Sequence, residues 1–423
     1  IPRLSGQEGQ VRHWISDLAR QRQLTWKQDQ VGNLTVFVPA TPGRESYPEM
    51  ILHAHMDMVG DKAADSDHDF SRDPIRCQRD GDWLKAQGTT LGADNGIGLS
   101  AMLALLDEPH LQHGPLRLLF TVDEEGGFTG ADGIDPAFLA APRLINLDSE
   151  EHREFNIGCA GGVTHRTEVP ISLVPVSHDC IPLRISISGL SGGHSGVEIH
   201  HGRANAIRLL ARLLLVCQRD GELRLETMTA GTFDTTIPRQ AEAVVWVRTT
   251  AADSLQKRLA AVSTSLYRDY SATDQSLKIT ITRTSGDRSR AVWSDQAAQR
   301  LPTFLLAIPA GVLVMSETFA DQVETSANPG VVTQEANRLV LLCHLQSSSS
   351  YALHYLGKRV TRLAQHVGGI CQEVTPYSPW QPSPDSPLLQ QAIATHERLF
   401  QQPPRLKVVH AGLECGSFAR INP

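Results

Sequence analysis

The sequence lacks the features that would assign it to a membrane or to nucleic acid. Its 423 residues contain no apolar stretch approaching the roughly 18 to 20 uncharged residues of a membrane span, and no basic-then-apolar leader opens the chain. The formal net charge is -7 and no long basic run occurs, which argues against binding to phosphate backbones. We therefore expect no membrane partner, no nucleic-acid partner and a cytoplasmic location.

The cysteines lack the spacing of a disulfide framework or a cysteine metal site. The seven cysteines are odd in number, widely scattered and contain no C-x-x-C pair, so we expect reduced and mostly buried thiols. Cys415, in GLECGSF, could be a nucleophile, but no nucleophile signature surrounds it. Core packing is the preferred interpretation of Cys415.

The first 150 residues alternate strand-like and helix-like segments. Short apolar runs at residues 50–54, 116–122 and 144–147 end in polar residues and resemble strands of a parallel sheet. The apolar segment at residues 97–106 is long enough to be a helix between two of them. This alternation predicts an α/β domain with a mixed, largely parallel sheet flanked by helices.

From about Ser172 the pattern predicts a second, smaller domain. Strand-like alternation at residues 183–192 is followed by helical periodicity at residues 205–217, which favours an antiparallel α+β domain inserted in the chain. A chain of this length also exceeds what one hydrophobic core usually serves. A proline-rich linker at residues 375–387 leads back to the first domain. The predicted first domain spans residues 1–165 and 376–423, and the inserted domain spans residues 166–375.

Four predicted strand ends or loops of the first domain carry residues that bind metals, beginning with the stretch HAHMD. Side chains two apart on a strand share a face, so His53, His55 and Asp57 point the same way. His55 is placed to bind a metal, and Asp57 can accept the hydrogen of its other ring nitrogen. A buried, hydrogen-bonded histidine beside a turn aspartate explains this motif equally well.

The other three segments supply carboxylates. Asp94, in GTTLGADNGIG, precedes an apolar helix, where capping the helix is the favoured role and bridging two cations is the alternative. The DEEGG run at residues 123–127 is usually a solvated turn, but near metals one glutamate can ligate while its neighbour acts as a general base. Asp148 ends the run LINLD. Because strand ends converge in α/β sheets, four such segments indicate one site.

Seven motifs occur in one order along the chain: HMDMV, GTTLGADNGIG, DEEGG, INLDSEE, GCAGG, SGGHSGVEIH and HAGLECG. Together they resemble the aminoacyl-histidine dipeptidases, also called X-His dipeptidases or bacterial carnosinase-like enzymes, within the zinc aminoacylase and carboxypeptidase group. The resemblance covers essentially the whole chain. It implies a zinc-peptidase-like catalytic domain interrupted by a lid domain that also forms a homodimer.

The resemblance also implies a two-zinc site. One Zn²⁺ would be held by His55, Asp94 and Asp148, and the second would share Asp94 and add Glu125. Mixed histidine and carboxylate ligands suit Zn²⁺, with Mn²⁺ or Co²⁺ as alternatives.

The same resemblance assigns the catalytic roles. Glu124 would be the general base, and Asp57 would orient His55. His194 would stabilise the oxyanion, often across the dimer, and Glu414 would lie near the substrate. The implied reaction is hydrolysis of small peptides, dipeptides of the X-His type, by a metal-activated water.

The chain departs from the family pattern at three places. The family takes its last zinc ligand from a histidine after HAGLECG, whereas this chain ends at Pro423, so we expect an incomplete carboxyl terminus and a second site with two protein ligands. Thr235 stands where the family has Asn, and Gln346 stands where an Arg pairs with the substrate carboxylate. A catalytically impaired relative that serves as a binding or scaffold protein is the alternative hypothesis, and another hydrolase of the same metal group, a deacylase or tripeptidase, is the third.

Overall fold

The computed structural model describes residues 1–149, 151–218, 224–284, 291–335 and 337–422. Glu150 of the INLDSEE motif and Pro423, the end of the predicted first domain, lie outside the described residues. The chain divides into two compact units, each assembled from separate segments. The first unit comprises Ile1–Ile157, Pro382–Lys407 and Leu413–Pro423, and the second comprises Gly158–Gln381 and Val408–Gly412.

The described residues contain the following helices and strands in chain order. The helices are α1 Gly9–Gln21, α2 Ala93–Ala104, α3 Glu124–Gly127, α4 Thr129–Asp132, α5 Ala206–Gln218, α6 Ala252–Asp269, α7 Asp295–Ala307, α8 Ser350–His366, α9 Pro387–Phe400 and α10 Glu414–Ile421. The strands are β1 Thr25–Gln28, β2 Leu34–Val38, β3 Met50–His55, β4 Cys77–Asp80, β5 Trp83–Ala86, β6 Leu116–Thr121, β7 Leu144–Asn146, β8 Glu154–Cys159, β9 Gly161–Pro170, β10 Leu173–Pro175, β11 Cys180–Ser188, β12 Arg224–Ala230, β13 Ala241–Arg248, β14 Lys278–Arg283, β15 Ala291–Trp293, β16 Gly311–Met315, β17 Val323–Glu335, β18 Arg338–Ser347, β19 Ile370–Tyr377 and β20 Arg405–Val409.

The first unit contains a mixed sheet with the strand order β1-β2-β6-β3-β7. Strand β3 pairs in parallel with β6 and β7, whereas β2 pairs antiparallel with β1 and β6. The central strands are apolar on both faces because helices cover both: α1 and α2 pack around Leu118 and Phe120, and α4 and α10 pack around Ile51 and Leu119. The carboxyl ends of β3, β6 and β7 therefore meet at one edge of the sheet.

The second unit is built on an antiparallel sheet with the order β14-β11-β13-β12-β17-β18-β9-β19, and β16 pairs with β17 outside this path. Its core joins strand residues such as Ile185 and Val245 to Leu210 and Leu214 of α5. The apolar stripe of α5 is thus buried by helix packing. This is the predicted antiparallel α+β arrangement, but the second unit is not the smaller of the two.

Strand pairing explains where the two units divide. Residues 158–165 and 376–381 belong to the second unit, although the sequence analysis placed them in the first domain. Strand β9 pairs along its length with β18, and β19 pairs with the other edge of β9. These backbone hydrogen bonds join residues 158–165 and 376–381 to the second unit. The amino-acid composition changes little at these positions, so the sequence alone does not mark the boundary.

Two further expectations concern membranes and cysteines. In the described part of the chain, no helix combines the length and apolarity needed to cross a bilayer. Five of the seven cysteines are buried, and no disulfide forms among the described residues.

Candidate metal centre

His55, the last residue of β3, is completely buried and faces three carboxylates. Its Nε2 lies 2.8 Å from Asp94 Oδ1 and 3.5 Å from Asp148 Oδ1, and its Nδ1 lies 3.2 Å from Asp57 Oδ1. The ligand atoms of His55, Asp94 and Asp148 all lie within 4.8 Å of one another. These three donors are close enough to hold one cation. The parallel pairing of β3 with β7 brings the first and last of them together.

Asp94 does not cap helix α2, contrary to the prediction made from its position alone. Its backbone, at φ -80° and ψ 112°, has the extended form common at a helix cap, but within the described residues its carboxylate bonds His55 Nε2 and accepts no helix N–H. Asn95 Oδ1 instead accepts a hydrogen bond of 3.1 Å from the Gly98 N–H. Because Asn95 satisfies this helix-start donor, the Asp94 carboxylate is available to His55.

The acidic run after β6 brings two more carboxylates to His55. Glu124 and Glu125 are the first residues of α3, and Asp123 precedes them with a positive φ of 56°. Ligand atoms of His55, Glu124 and Glu125 lie within 4.8 Å of one another. Two donor groups therefore share His55, one with a pair of aspartates and one with a pair of glutamates.

Asp57 joins these groups although it belongs to neither. Its Oδ1 accepts hydrogen bonds from His55 Nδ1 at 3.2 Å and from the Glu124 N–H at 3.1 Å, and its Oδ2 accepts from the Glu125 N–H at 3.1 Å. Ser5 Oγ donates a fourth hydrogen bond of 2.7 Å to Oδ2. Burial raises the pKa of Asp57, but the bonds from His55 and Ser5 lower it more, so the net pKa is below the usual range. Asp57 is a fully buried carboxylate with four donors around it.

Burial and repulsion from neighbouring carboxylates favour the protonated forms of both glutamates. Burial, followed by repulsion from the nearby charge of Glu414, raises the pKa of Glu124 to about 9. Burial likewise raises the pKa of Glu125 to about 7, with repulsion from Asp94 as the next cause. More negative charge surrounds His55 than one imidazole can balance. A divalent cation would restore that balance.

Without a cation, the surrounding aspartates favour the protonated His55 ring, and a bound cation would take the place of the proton on Nε2. Burial lowers the pKa of His55, but hydrogen bonds to Asp148, Asp57 and Asp94 raise it more, and the net shift is upward. The bond with His55 lowers the pKa of Asp94. A nitrogen donor combined with carboxylate oxygens is a set that Zn²⁺ accepts, and the cluster fits such a cation in its chemistry and its spacing.

Glu414 lies beside this cluster in a hydrogen-bonded network. It is 1% exposed and opens helix α10. Thr121 Oγ1 donates to Glu414 Oε2 at 3.0 Å, and His53 Nε2 lies 3.2 Å from the same oxygen. The sequence analysis did not identify Thr121 as a site residue, although its place at the carboxyl end of β6 is a signal for one. It placed His53 on the same face as His55 but assigned it no partner.

His194 belongs to the second unit and therefore to a different fold element from the acidic cluster. Its Nδ1 accepts hydrogen bonds from the Gly196 and Val197 N–H groups at 3.0 and 3.3 Å. Desolvation lowers the pKa of His194, and Glu198 opposes this shift. With Nδ1 acting as an acceptor, the neutral ring carries its proton on Nε2 and can donate from there.

The two positions that depart from the family pattern also lie in the second unit. Gln346 is 2% exposed and donates to Tyr377 Oη at 3.1 Å and to the His410 carbonyl at 3.3 Å. Burial lowers the pKa of His410 to about 4, so at neutral pH this ring adds no charge. Thr235 is exposed, and its carbonyl accepts the Ser195 N–H at 2.9 Å. Gln346 thus has neutral hydrogen-bonding neighbours in place of a charged contact.

A histidine and several carboxylates gathered at the carboxyl edge of an α/β sheet, beside a buried glutamate, are typical of a metal-dependent hydrolase. Comparison with known proteins gives the same class. Residues 51–423 match the model of peptidase family M20/M25/M40, and the chain belongs to this family.

Two relatives more than 30% identical to this chain match nearly all of it. The chain is 36% identical over 426 residues to the cytosol non-specific dipeptidase of Escherichia coli (strain K12), a match that covers 100% of this chain and 87% of the relative. A crystal structure of aminoacylhistidine dipeptidase from Vibrio alginolyticus has a TM-score of 0.89 at 34% identity, covering 99% of this chain and 85% of that one. The aminopeptidase PepT structure from Bacillus cereus ATCC 10987, at 13% identity and a TM-score of 0.54, shares the fold.

These findings confirm the predicted family, the predicted fold class and the prediction of a metal-dependent peptidase related to dipeptidases. Dipeptidase relatives that match over the full chain favour hydrolysis over the alternative of a scaffold protein.

Proposed function

We propose that the protein hydrolyses dipeptides, including those of the X-His type, with Zn²⁺ held by His55, Asp94 and Asp148 and a second cation held by Asp94 and Glu125. The observation that carries the proposal is the convergence of two donor groups on His55, one with Asp94 and Asp148 and one with Glu125 and the half-buried Glu124. Mn²⁺ or Co²⁺ are the alternatives for the same donors. When bound, the cation supplies Lewis-acid chemistry: it polarises a carbonyl and lowers the pKa of water.

Glu124 is proposed as the general base. Glu124 is half-buried, and its raised pKa, about 9, suits a group that must hold the proton between attack and departure of the amine. Glu124 takes a proton from the attacking water and delivers it to the amine that leaves when the peptide C–N bond breaks. Asp57 accepts the His55 Nδ1–H and the Glu124 N–H, which supports a role in orienting both residues.

His194 is proposed as the donor to the oxyanion that forms during attack. The acceptor role of Nδ1 supports a proton on Nε2, the tautomer that this task requires. We propose that the protein is a homodimer through its second unit, the lid, so that His194 serves the centre of a partner copy. A cytosolic location is proposed because the Escherichia coli relative is named a cytosol dipeptidase.

The proposed substrate range rests on the relatives and on Gln346. One relative is named a non-specific dipeptidase and the other an aminoacylhistidine dipeptidase, which supports dipeptides as the substrate class. The neutral surroundings of Gln346 support a weaker preference for a free terminal carboxylate than an Arg would give. Glu414 is retained as a candidate near the substrate because its charge raises the pKa of Glu124.

Metal-depleted protein, reconstituted separately with Zn²⁺, Mn²⁺ and Co²⁺, tests the proposal. Each form would be assayed on β-alanyl-histidine, other X-His dipeptides, dipeptides without histidine and N-acylated amino acids. We expect dipeptide hydrolysis that requires the cation and little hydrolysis of N-acylated amino acids. Turnover confined to the acylated compounds, or no turnover with any cation, would overturn the assignment.

A further inference from the structure

Arg3 contacts both loops that flank the metal centre. Its Nη1 donates to the carbonyl of Met56 at 2.9 Å and to that of Asp57 at 2.6 Å, and its Nη2 donates to the carbonyl of Gly92. The first two carbonyls directly follow β3, which ends at His55. The third lies two residues before Asp94. One planar cation therefore connects the segments that carry two proposed ligands.

The segment that bears Arg3 is itself fixed. The Met58 N–H donates to the Arg3 carbonyl at 3.0 Å, and Leu4 forms a parallel bridge with Met58. Ser5, two residues beyond Arg3, donates its hydroxyl hydrogen to Asp57 Oδ2 at 2.7 Å. Residues 3–5 thus hold Asp57 from two sides, at its carbonyl and at its carboxylate.

The glycines of the GADNG motif leave space for the guanidinium. A Cβ added to Gly92 would lie 2.8 Å from Arg3 Nη2, and one added to Gly96 would lie 3.0 Å from it. Gly92 also has a φ of 68°, a conformation that favours glycine. Arg3 is the nearest neighbour of an added Cβ at Gly96, whereas at Gly92 Met58 Sδ is closer, at 2.7 Å. The approach of Arg3 therefore accounts for Gly96 and contributes at Gly92.

Electrostatics act in the same direction. Asp57, Asp94 and Glu125 attract the Arg3 guanidinium and oppose the lowering of its pKa by burial. A guanidinium stays charged and presents a planar set of donors, whereas a lysine ammonium is a point charge that cannot reach three carbonyls in the same geometry. Arg3 therefore stabilises the acidic centre with a permanent charge while binding only backbone oxygens.

We infer that Arg3, with Ser5, is a positioning residue of the metal centre that sets the separation of His55 and Asp94 and so the affinity for the cation. This inference rests on the proposed function only for the identity of the cation. Contacts behind the ligands of a metal site commonly change metal affinity about 10- to 100-fold. We expect Arg3→Met to weaken Zn²⁺ binding by a factor in that range, and Arg3→Lys to recover part of the loss.

The measurement is the Zn²⁺ dissociation constant of the metal-depleted full chain, from competition with a chelating dye, together with its melting temperature. Arg12→Met is the matched control, because Arg12 donates to one carbonyl, that of Gly32, in the same unit. The melting temperature of the metal-free protein reports the loss of stability in each variant, while Zn²⁺ affinity should fall only in Arg3→Met. An equal affinity in the two variants, within twofold, would overturn the inference.

Gly96→Ala decides the question if Arg3→Met fails to fold. The added methyl would lie 3.0 Å from Arg3 Nη2 and so would shift the guanidinium by a few tenths of an ångström, while alanine in place of glycine favours the helix itself. We expect lower Zn²⁺ affinity with unchanged or higher melting temperature, and unchanged affinity would refute the role of Arg3. If wild-type protein binds Zn²⁺ but hydrolyses no dipeptide, the proposed function fails while these affinity measurements still test Arg3.

Discussion

At the scale of single residues, Asp57 shows what a local pattern can and cannot predict. The two-residue spacing in HAHMD indicates that Asp57 and His55 share a face, and the structure has the two side chains 3.2 Å apart. The same carboxylate also accepts the N–H groups of Glu124 and Glu125, from a distant strand end. Nothing in the spacing of HAHMD predicts those partners, because they depend on how β3 and β6 align.

Replacing Glu124 by glutamine tests the general base. Glu124→Gln keeps the shape of the side chain but removes the proton acceptor, so kcat should fall by about 10²- to 10⁴-fold. Metal content, measured by inductively coupled plasma mass spectrometry, should stay unchanged. Asp123→Asn is the control, since Asp123 bonds Thr129 outside the donor groups, and its kcat should remain within a few-fold of wild type. Undiminished turnover by Glu124→Gln would remove Glu124 from the mechanism.

The raised pKa of Glu125 predicts a pH-dependent response to metal. A carboxyl whose pKa is about 7 when folded, against an ordinary 4.5, binds its proton more tightly in the folded chain. Its contribution to stability is therefore present at low pH and lost as pH rises from about 4.5 to about 7. A cation replaces that proton, so added Zn²⁺ should raise the melting temperature more at pH 7.5 than at pH 5.5.

Scanning fluorimetry with and without Zn²⁺ across this pH range measures the effect. Glu125→Gln should flatten the pH dependence of the metal-free protein. An increment from Zn²⁺ that shrinks as pH rises would contradict the assignment of Glu125.

At the scale of elements, apolar runs in the sequence predict the positions of three strands of the first unit correctly. The runs at residues 50–54, 116–122 and 144–147 correspond to β3, β6 and β7 within a residue or two. Strands β3 and β6 are central and covered on both faces, which explains their continuous apolar runs, whereas β7 is a half-buried edge strand. The helix predicted at residues 205–217 corresponds to α5. The sequence does not show which residue caps helix α2, because Asp94 and Asn95 both suit a helix start. In the structure Asn95 accepts the Gly98 N–H, and Asp94 contacts His55 instead.

Neighbouring leucines of α5 test whether its stripe stabilises the second unit. Leu214 is 0% exposed in the core, whereas Leu215 is half-buried. Leu214→Ala should lower the free energy of unfolding by about 2 to 5 kcal/mol because it removes packed volume. Leu215→Ala should cost less than half as much. Chemical denaturation monitored by circular dichroism would measure both, and equal losses would contradict the assigned face.

At the scale of the whole molecule, the two units are built from segments that alternate along the chain. Residues 408–412 belong to the second unit, although the segments before and after them belong to the first. No proline-rich or glycine-rich linker in the sequence marks this change of unit. The second unit also exposes aromatic side chains on α8: Tyr351 is 80% exposed and Tyr355 is 66% exposed. Exposed apolar surface of this kind suits the homodimer proposed through this unit.

The double variant Tyr351→Glu with Tyr355→Glu tests that dimer. Charge placed on α8 should shift the protein to monomer, because burying an unpaired carboxylate in an interface is unfavourable. Leu399→Glu is the control, as Leu399 is 65% exposed on α9 of the first unit. Analytical ultracentrifugation at micromolar concentration measures both. A wild-type monomer, or a dimer that survives the double variant, would exclude this interface.

The sequence by itself determined the family, the alternation of strands and helices and the residue types of the metal centre, because apolar periodicity and ligand motifs are local in the chain. Only the tertiary structure decided which groups meet: His55 with two separate pairs of carboxylates, Asp57 with Ser5, and Arg3 with the carbonyls of both flanking loops. The physical reason is that these contacts join residues distant in sequence. Their distances follow from strand pairing and burial rather than from spacing along the chain.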